Sequence, residues 1–284
     1  MKQAPVLSSG ESHSLKRLVR RMLTSHEGEP LPTWLKVVTN RLLMAGTFGR
    51  GLARNLPRGE VVRVHPQYHW LSWNLEEYAA FRESCCNPRV ILDIGANVGA
   101  YSVLFGIWAR RSGGRVFAFE PSPTIYPWLK RHIQLNHLDT VVTSLQLAVS
   151  SKNGFVGWDA GESEGAGHLA LESPTPDSTS MVRTTSLDAF CASEKVQPDV
   201  VKIDVEGFEF EVLEGASELL GPSRGSSLPT VFVELHPTAW TRLGRSREDW
   251  LALLDRFGLK MTPLNPAIDV WSVEGVCVRL SRAS

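Results

Sequence analysis

Val90-Ile91-Leu92-Asp93-Ile94-Gly95-Ala96-Asn97-Val98-Gly99-Ala100-Tyr101-Ser102 is the stretch whose reading decides the fold. It opens with three consecutive aliphatic residues and no polar alternation, the pattern of a strand in a parallel sheet covered on both faces. An acid and a glycine turn follow, and residues 101–108 read as the start of a helix. Strand, acid, glycine-rich turn and helix is how doubly wound α/β folds hold a nucleoside-containing ligand. Glycine in such a turn lets backbone approach the ligand closely.

The spacing narrows the ligand. A dinucleotide site uses G-x-G-x-x-G, which seats a pyrophosphate on bare backbone at a helix N-terminus. Here the spacing is Gly95-x-x-x-Gly99, with Asn97 between. That suits a ligand without phosphate and with a zwitterionic amino-acid end, such as S-adenosylmethionine, with Asp93 available to its ammonium group. A second apolar strand, Arg115–Glu120, ends in a carboxylate followed by Pro121. It lies one helix-plus-strand unit further on, where doubly wound folds place the acid that holds ribose hydroxyls.

Two later strands end in polar groups. Val200–Asp204 runs into Val205-Glu206-Gly207, and Thr230–Leu235 carries Glu234 and is followed by His236. Ligands bind at the carboxyl ends of strands in open α/β sheets. Asp204 and Glu206 are two apart, so on a continuing strand they face the same way, as does Lys202, which can pair with a carboxylate. A hydroxyl acting as nucleophile at such an edge needs a base, or a metal that lowers its pKa. The candidates are His236, Asp204, Glu206 and Glu234, and His236 has the most suitable unperturbed pKa, near ~6.5. Asp204, Glu206 and His236 could equally hold a hard divalent cation or bind substrate hydroxyls; no metal is assigned.

The strings DIGANVGAYS, FEPSP, TTSLDAF, VVKIDVEGFE and VFVELHP occur in this order. Together they resemble the FkbM-type S-adenosylmethionine-dependent methyltransferases, over roughly Val61 to His236. The resemblance implies an α/β class I methyltransferase (Rossmann-like) fold: a doubly wound, mostly parallel seven-stranded sheet. It implies, most often, O-methylation of a hydroxyl on a sugar, glycolipid or secondary metabolite. The cofactor set it suggests is Asp93, Gly95, Ala96, Asn97, Gly99, Tyr101, Ser102, Glu120, Pro121, Ala148 and Asp204, with residues 147–149 passing the adenine. His69, Trp73 and Glu77, in the lead-in, become further candidates. Two rivals are an NAD-dependent oxidoreductase, which the missing G-x-G-x-x-G disfavours, and a non-catalytic cofactor-binding module, which the acids at four strand ends disfavour.

Composition bounds the rest. Hydrophobic residues at 43% with 21% charged are those of a soluble globular chain. Lys plus Arg equals Asp plus Glu at 30 each, so no global field favours nucleic acid. The charge is uneven: residues 1–58 hold ten Lys or Arg against three Glu. No apolar run approaches the ~18–20 residues that span a bilayer. Cys85, Cys86, Cys191 and Cys277 form no C-x-x-C pair. Reduced thiols and the lack of a secretory h-region suggest a cytoplasmic setting.

The chain divides into a basic helical N-terminal extension, 1–58, and a methyltransferase domain, 59–284. The extension suggests one helix over 15–23 and a second from Thr33 to about Ala45, resuming toward Leu56. Contact with an anionic membrane surface is conceivable there, but packing on the domain is preferred. The domain reads as strands at 90–94, 115–120, 144–149, 200–204 and 230–235. Helices are expected at 100–110, 124–136, 186–191 and 208–220, with a helix starting near Trp73 before them. Residues 159–179, rich in Gly, Ser, Pro and acids, read as a long loop. Ser246-Arg-Glu-Asp249 reads as a helix start, and 259–262 and 276–280 as the last strands.

Overall fold

The structure is a computed structural model that describes residues 33–159, 168–170, 180–222 and 228–283. The first expected helix, 15–23, lies outside the described residues.

The central sheet follows from the apolar runs. β3 (Val90–Ile94), β4 (Arg115–Phe119), β5 (Val142–Leu145), β10 (Val200–Ile203) and β11 (Thr230–Leu235) are mutually parallel, with β12 (Leu259–Pro263) and β13 (Val276–Arg282) completing seven strands. The order is β12-β13-β11-β10-β3-β4-β5, and β13 runs antiparallel to both its neighbours. This is the doubly wound class I methyltransferase topology, with the last strand inserted backwards. Every residue of β3 and β10 is buried, as expected of central strands covered on both sides.

Strand alternation separates two cores. Ile91, Val116, Val200 and Phe232 pack under α2 (Leu75–Ser84), α3 (Ala100–Ser112) and α4 (Tyr126–Leu135). Leu92, Phe117, Val201 and Val233 face α5 (Leu187–Glu194), α6 (Glu209–Glu214), α7 (Ser217–Leu220), α8 (Pro237–Arg242) and α9 (Arg247–Arg256). Asp93, Lys202 and Glu234 share parity with the first set, so they continue the α2/α3 side of the sheet toward its carboxyl edge. Register sets Lys202 directly beside Asp93, and Glu234 beside Cys277.

The expected strand 144–149 divides in two. β5 ends at Leu145, the chain turns with Leu147 N donating to Leu145 O, and β6 (Ala148–Val149) joins a separate sheet. That sheet has the order β6-β9-β7-β8, with β7 at Gly154–Asp159, β8 at His168–Ala170 and β9 at Ser180–Thr185. β8 falls inside the expected loop; residues 160–167 and 171–179 of that loop lie outside the described set. The expected helix 208–220 also breaks, into α6 and α7. At Gly215 a Cβ would lie 2.2 Å from the Ser150 carbonyl oxygen, so close backbone packing interrupts the helix. Asp188 then caps α7, accepting from Glu218 N and Leu219 N. The capping box at Ser246 and Asp249 starts α9 as expected.

The N-terminal region shows α1 (Thr33–Gly46), but no helix resumes toward Leu56. Gly49 and Gly51 at positive φ turn the chain into β1 (Leu52–Asn55), which pairs antiparallel with β2 (Val61–Val64). This hairpin crosses the expected boundary at 58/59. It is fastened to the domain at two points. Glu60 accepts hydrogen bonds from Tyr78 and Arg82 of α2 and from Trp108 of α3. Asn136 and His132 meet the backbone of β2 and His65. Among the described residues no helix is long and apolar enough to cross a membrane.

Candidate active site

Parallel pairing brings four strand ends to one edge. The glycine turn after β3, Glu120 after β4, Asp204 to Glu206 after β10, and Glu234 with His236 on and after β11 gather there.

The turn is shaped by three residues at positive φ: Gly95 at 76°, Asn97 at 50° and Gly99 at 91°. Gly95 N and Ala96 N donate to Phe119 O, which ties the turn to the end of β4. Glu120 is buried, and its two oxygens accept from Asn97 N and Ser122 N, each at 2.8 Å. Burial outweighs those bonds and, with the charges of Asp204 and Asp93, raises the Glu120 pKa to about 7. Each oxygen retains a second acceptor position, as a diol requires. Pro121 follows at the strand end. Ala148 is buried in β6, off the main sheet, where it pairs with Thr184.

Asp93 is placed differently from expectation. It is fully buried; Ser102 Oγ donates to its Oδ2 at 2.5 Å, and Lys202 Nζ stands 3.7 Å from its Oδ1 as an ion pair. The register neighbour and the helix α3 close over it, and its Oδ1 is buried with no hydrogen-bond partner among the described residues. Burial raises its pKa, against the opposing pull of Lys202. Lys202 itself donates to Asp204 Oδ2 at 3.0 Å. Its own pKa is lowered by burial and raised, on balance, by Asp204, Asp93 and Glu234.

Of the lead-in candidates, Glu77 joins the crevice. It is buried, accepts from the Tyr101 hydroxyl, and feels the charges of Lys202 and Asp204. Its place on α2, above the Asp93 side of the sheet, explains this. Trp73 and His69 have local roles instead. Trp73 Nε1 donates to Ala100 O, and His69 Nδ1 pairs with Pro66 O.

His236 stands at the centre of the acid rim. Its Nε2 lies 3.5 Å from Glu206 Oε2, 3.8 Å from Glu234 Oε1 and 4.0 Å from Asp204 Oδ1. The expected reason for the pairing of Asp204 and Glu206 does not hold. β10 ends at Ile203, and Glu206 adopts φ 53°, so a turn and not a strand brings both acids toward His236. The other ring nitrogen, Nδ1, pairs with Glu209 Oε1 at 2.8 Å. Glu209 is fully buried and also accepts from Trp240 Nε1 and Gly207 N. Burial alone would lower the His236 pKa, but Glu209, Glu206 and Asp204 raise it to about 9. The surrounding acids thus favour the ring's cation more than an ordinary histidine's. Glu234 is pushed up to about 9 by burial and by Asp204, and Glu206 is raised by burial.

Sequence reasoning missed Glu209. Its signal was an acid between Phe208 and Phe210, an apolar setting in which a carboxylate must find buried donors.

The chain matches the Methyltransferase FkbM domain over residues 93–261. It is 30% identical over 148 residues to the hexuronic acid methyltransferase AglP of Haloferax volcanii, covering 52% of this chain and 56% of that protein. It is 26% identical over 164 residues to the methyltransferase sdnD of Sordaria araneosa, covering 46% of this chain and 61% of that one. The chain thus spans less than two thirds of the length of either relative. Among solved structures, the methyltransferase FkbM from Methylobacillus flagellatus KT aligns with a TM-score of 0.44 and 16% identity, over 68% of this chain and 44% of that one. The matched span runs from Asp93 at the glycine turn through the acid rim to Met261 in β12, and the chain belongs to the FkbM methyltransferase family.

Proposed function

We propose that the protein methylates a hydroxyl group with S-adenosylmethionine, the acceptor being a sugar, glycolipid or secondary metabolite. The observation that carries this reading is the convergence of two unlike sites at one sheet edge. One is a glycine turn with a buried, amide-held Glu120. The other is an acid rim around His236.

When bound, S-adenosylmethionine supplies a methyl group on a sulfonium, displaced in line by the acceptor oxygen. The residues at the turn fit such a cofactor: Glu120 offers two free acceptor positions to the ribose, and Asn97 and Gly99 line the approach. Asp93 acts indirectly, by fixing Ser102 and Lys202. The rim of Asp204, Glu206, Glu234 and His236 orients the hydroxyl and removes its proton. Alignment of reactants supplies much of the rate enhancement in such a reaction. The relative that acts on hexuronic acid supports a sugar acceptor. Because β1 pairs with β2, we include β1 in the catalytic unit, ahead of residue 59.

The test is transfer of labelled methyl from S-adenosylmethionine to a panel of glycans and hydroxylated metabolites, read by mass spectrometry. Transfer to oxygen that is lost in the His236→Ala enzyme is the expected result. Saturable S-adenosylhomocysteine binding that Glu120→Ala leaves intact would remove Glu120 from the site.

A further inference from the structure

We infer that Asp204, Glu206 and His236 form a divalent-cation site on the acceptor side of the crevice. The inference deepens the functional reading above, since the ion would stand where the hydroxyl loses its proton. Its test does not depend on methyl transfer.

The first observation is the geometry of the donor atoms. One ligand atom from each of the three residues lies within 4.8 Å of the others. An ion bound at about 2.0–2.2 Å by nitrogen and carboxylate oxygen holds its ligand atoms roughly 3–4.4 Å apart. The distances from His236 Nε2 to Glu206 Oε2, 3.5 Å, and to Asp204 Oδ1, 4.0 Å, fall in that range. Glu234 Oε1, at 3.8 Å, borders the same space.

The second observation is independent of the acids. The His236 side chain is only 7% exposed, yet Nε2 makes no hydrogen bond among the described residues. A ring nitrogen on so buried a side chain, standing 3.5–4.0 Å from three carboxylate oxygens, is suited to a group placed between them. Its orientation is fixed from behind. Nδ1 is held by Glu209, and Glu209 is anchored by Trp240 Nε1 at 2.5 Å and Gly207 N at 3.0 Å. A carboxylate behind a histidine is the usual outer support of a metal-ligating imidazole.

The third observation is the balance of charge. Lys202 takes Asp204 Oδ2 and leans toward Asp93, which leaves Asp204 Oδ1 directed at His236. Asp204, Glu206 and Glu234 therefore face one another with a single lysine among them. Glu206 is 56% exposed at its side chain, which gives an ion a path in from solvent.

One imidazole with two carboxylates suits Mg²⁺, Mn²⁺ or Zn²⁺, with open positions for water or substrate. Such an ion would hold the acceptor hydroxyl and lower its pKa. The O–H proton leaves to solvent at the exposed Glu206 side of the rim. The new C–O bond then forms as the C–S bond of the sulfonium breaks, leaving a neutral thioether.

Full-length protein stripped with chelator is titrated with Mn²⁺ and followed by calorimetry and by electron paramagnetic resonance. One ion per chain is expected, with circular dichroism unchanged. Glu206→Gln and Asp204→Asn should each weaken binding at least tenfold. Glu209→Gln, a positioning change, should weaken it by about 10–100-fold. Glu194→Gln, on the exposed face of α5, should leave it unchanged. No Mn²⁺ binding, or binding indifferent to Glu206→Gln and Asp204→Asn, overturns the site. Should His236→Ala fail to fold, the half-exposed Glu206 still decides the question. The two readings fail separately. Methyl transfer by metal-free enzyme, with no Mn²⁺ bound, removes the ion and keeps the function. Bound Mn²⁺ with no methyl donor or acceptor accepted does the reverse.

Discussion

Two groups of acid, one buried and one partly exposed, behave in opposite ways in this structure. Glu60, between β1 and β2, accepts from Tyr78 Oη at 2.5 Å and from Arg82 Nε and Trp108 Nε1 at 3.0 Å each. Burial alone would raise its pKa, yet the three donors hold it down at about 2. At the rim, Asp204, Glu206 and Glu234 converge on one lysine and one histidine, and Glu234 is driven up to about 9. A surplus of donors makes a carboxylate a fastener. A surplus of acids leaves unsatisfied charge, which is tolerable only where a ligand, proton or ion comes to share it.

The sharpest test of that contrast is at the rim. His236→Ala should cut turnover by about 10²–10⁴-fold, the usual contribution of a group that deprotonates or holds the nucleophile. Cofactor affinity should change little, because His236 does not touch the glycine turn. A matching loss in cofactor affinity would mean that the two halves of the site are not distinct. Glu60 should show the converse, a structural loss. Glu60→Ala strands Tyr78, Trp108 and Arg82 and should cost about 3–5 kcal/mol of stability in denaturant titration. Because the folded pKa lies below the ordinary 4.5, Glu60 stabilises fully above that value. Its contribution fades as pH falls from there through about 2. A midpoint that shows no acid dependence beyond that of the Glu60→Gln protein would contradict the donor-cage account.

Between these lies Glu120. Loss of its charge-assisted hydrogen bonds in Glu120→Ala should weaken S-adenosylhomocysteine binding by about ten- to a hundredfold. With its pKa near 7, affinity should also fall as pH drops from 8 to 6, by roughly tenfold if the anion is the binding form. Calorimetry at the two pH values checks the sign. The smallest effect is a gain. Glu234 keeps its proton in the folded state while the unfolded chain releases it between about 4.5 and 9, so stability declines with pH across that window. Glu234→Gln removes this drain and should raise the melting temperature at pH 8 by roughly 2–4 °C, the shift for about 1 kcal/mol in a domain of this size. An unchanged or lower midpoint would show that Glu234 is satisfied where it stands.

Much of this was legible in sequence because apolar strands have sharp ends. The runs before Gly95, Glu120, Asp204 and His236 announced four parallel strands, and parallel pairing alone carries their ends to one edge. What side chains do after the strand ends was less legible. Glu206 reaches His236 through a left-handed turn that no alternation rule describes. Glu209 faces inward from the first turn of α6, where helical acids more often favour solvent and the dipole. The split at Leu145 and the break at Gly215 both depend on close approach of distant backbone. β1 was missed because Leu52–Asn55 is short, only half-buried, and defined by its partner more than by its own pattern.

Gly95 joins the two halves of the site more tightly than the hydrogen bonds suggest. Its φ is 76°, and a Cβ there would lie 1.6 Å from the carbonyl oxygen of Asp204. In the function proposed above, the donor side and the acceptor side share one wall here, formed where Gly95 meets the Asp204 carbonyl. Remodelling the enzyme for a new acceptor has no freedom along that wall, since any added atom would displace the cofactor turn as well. The freedom lies on the opposite bank, at Thr238, Thr241 and Arg242 of α8, which face solvent. A scaffold divided in this way can keep one cofactor while its acceptors diversify.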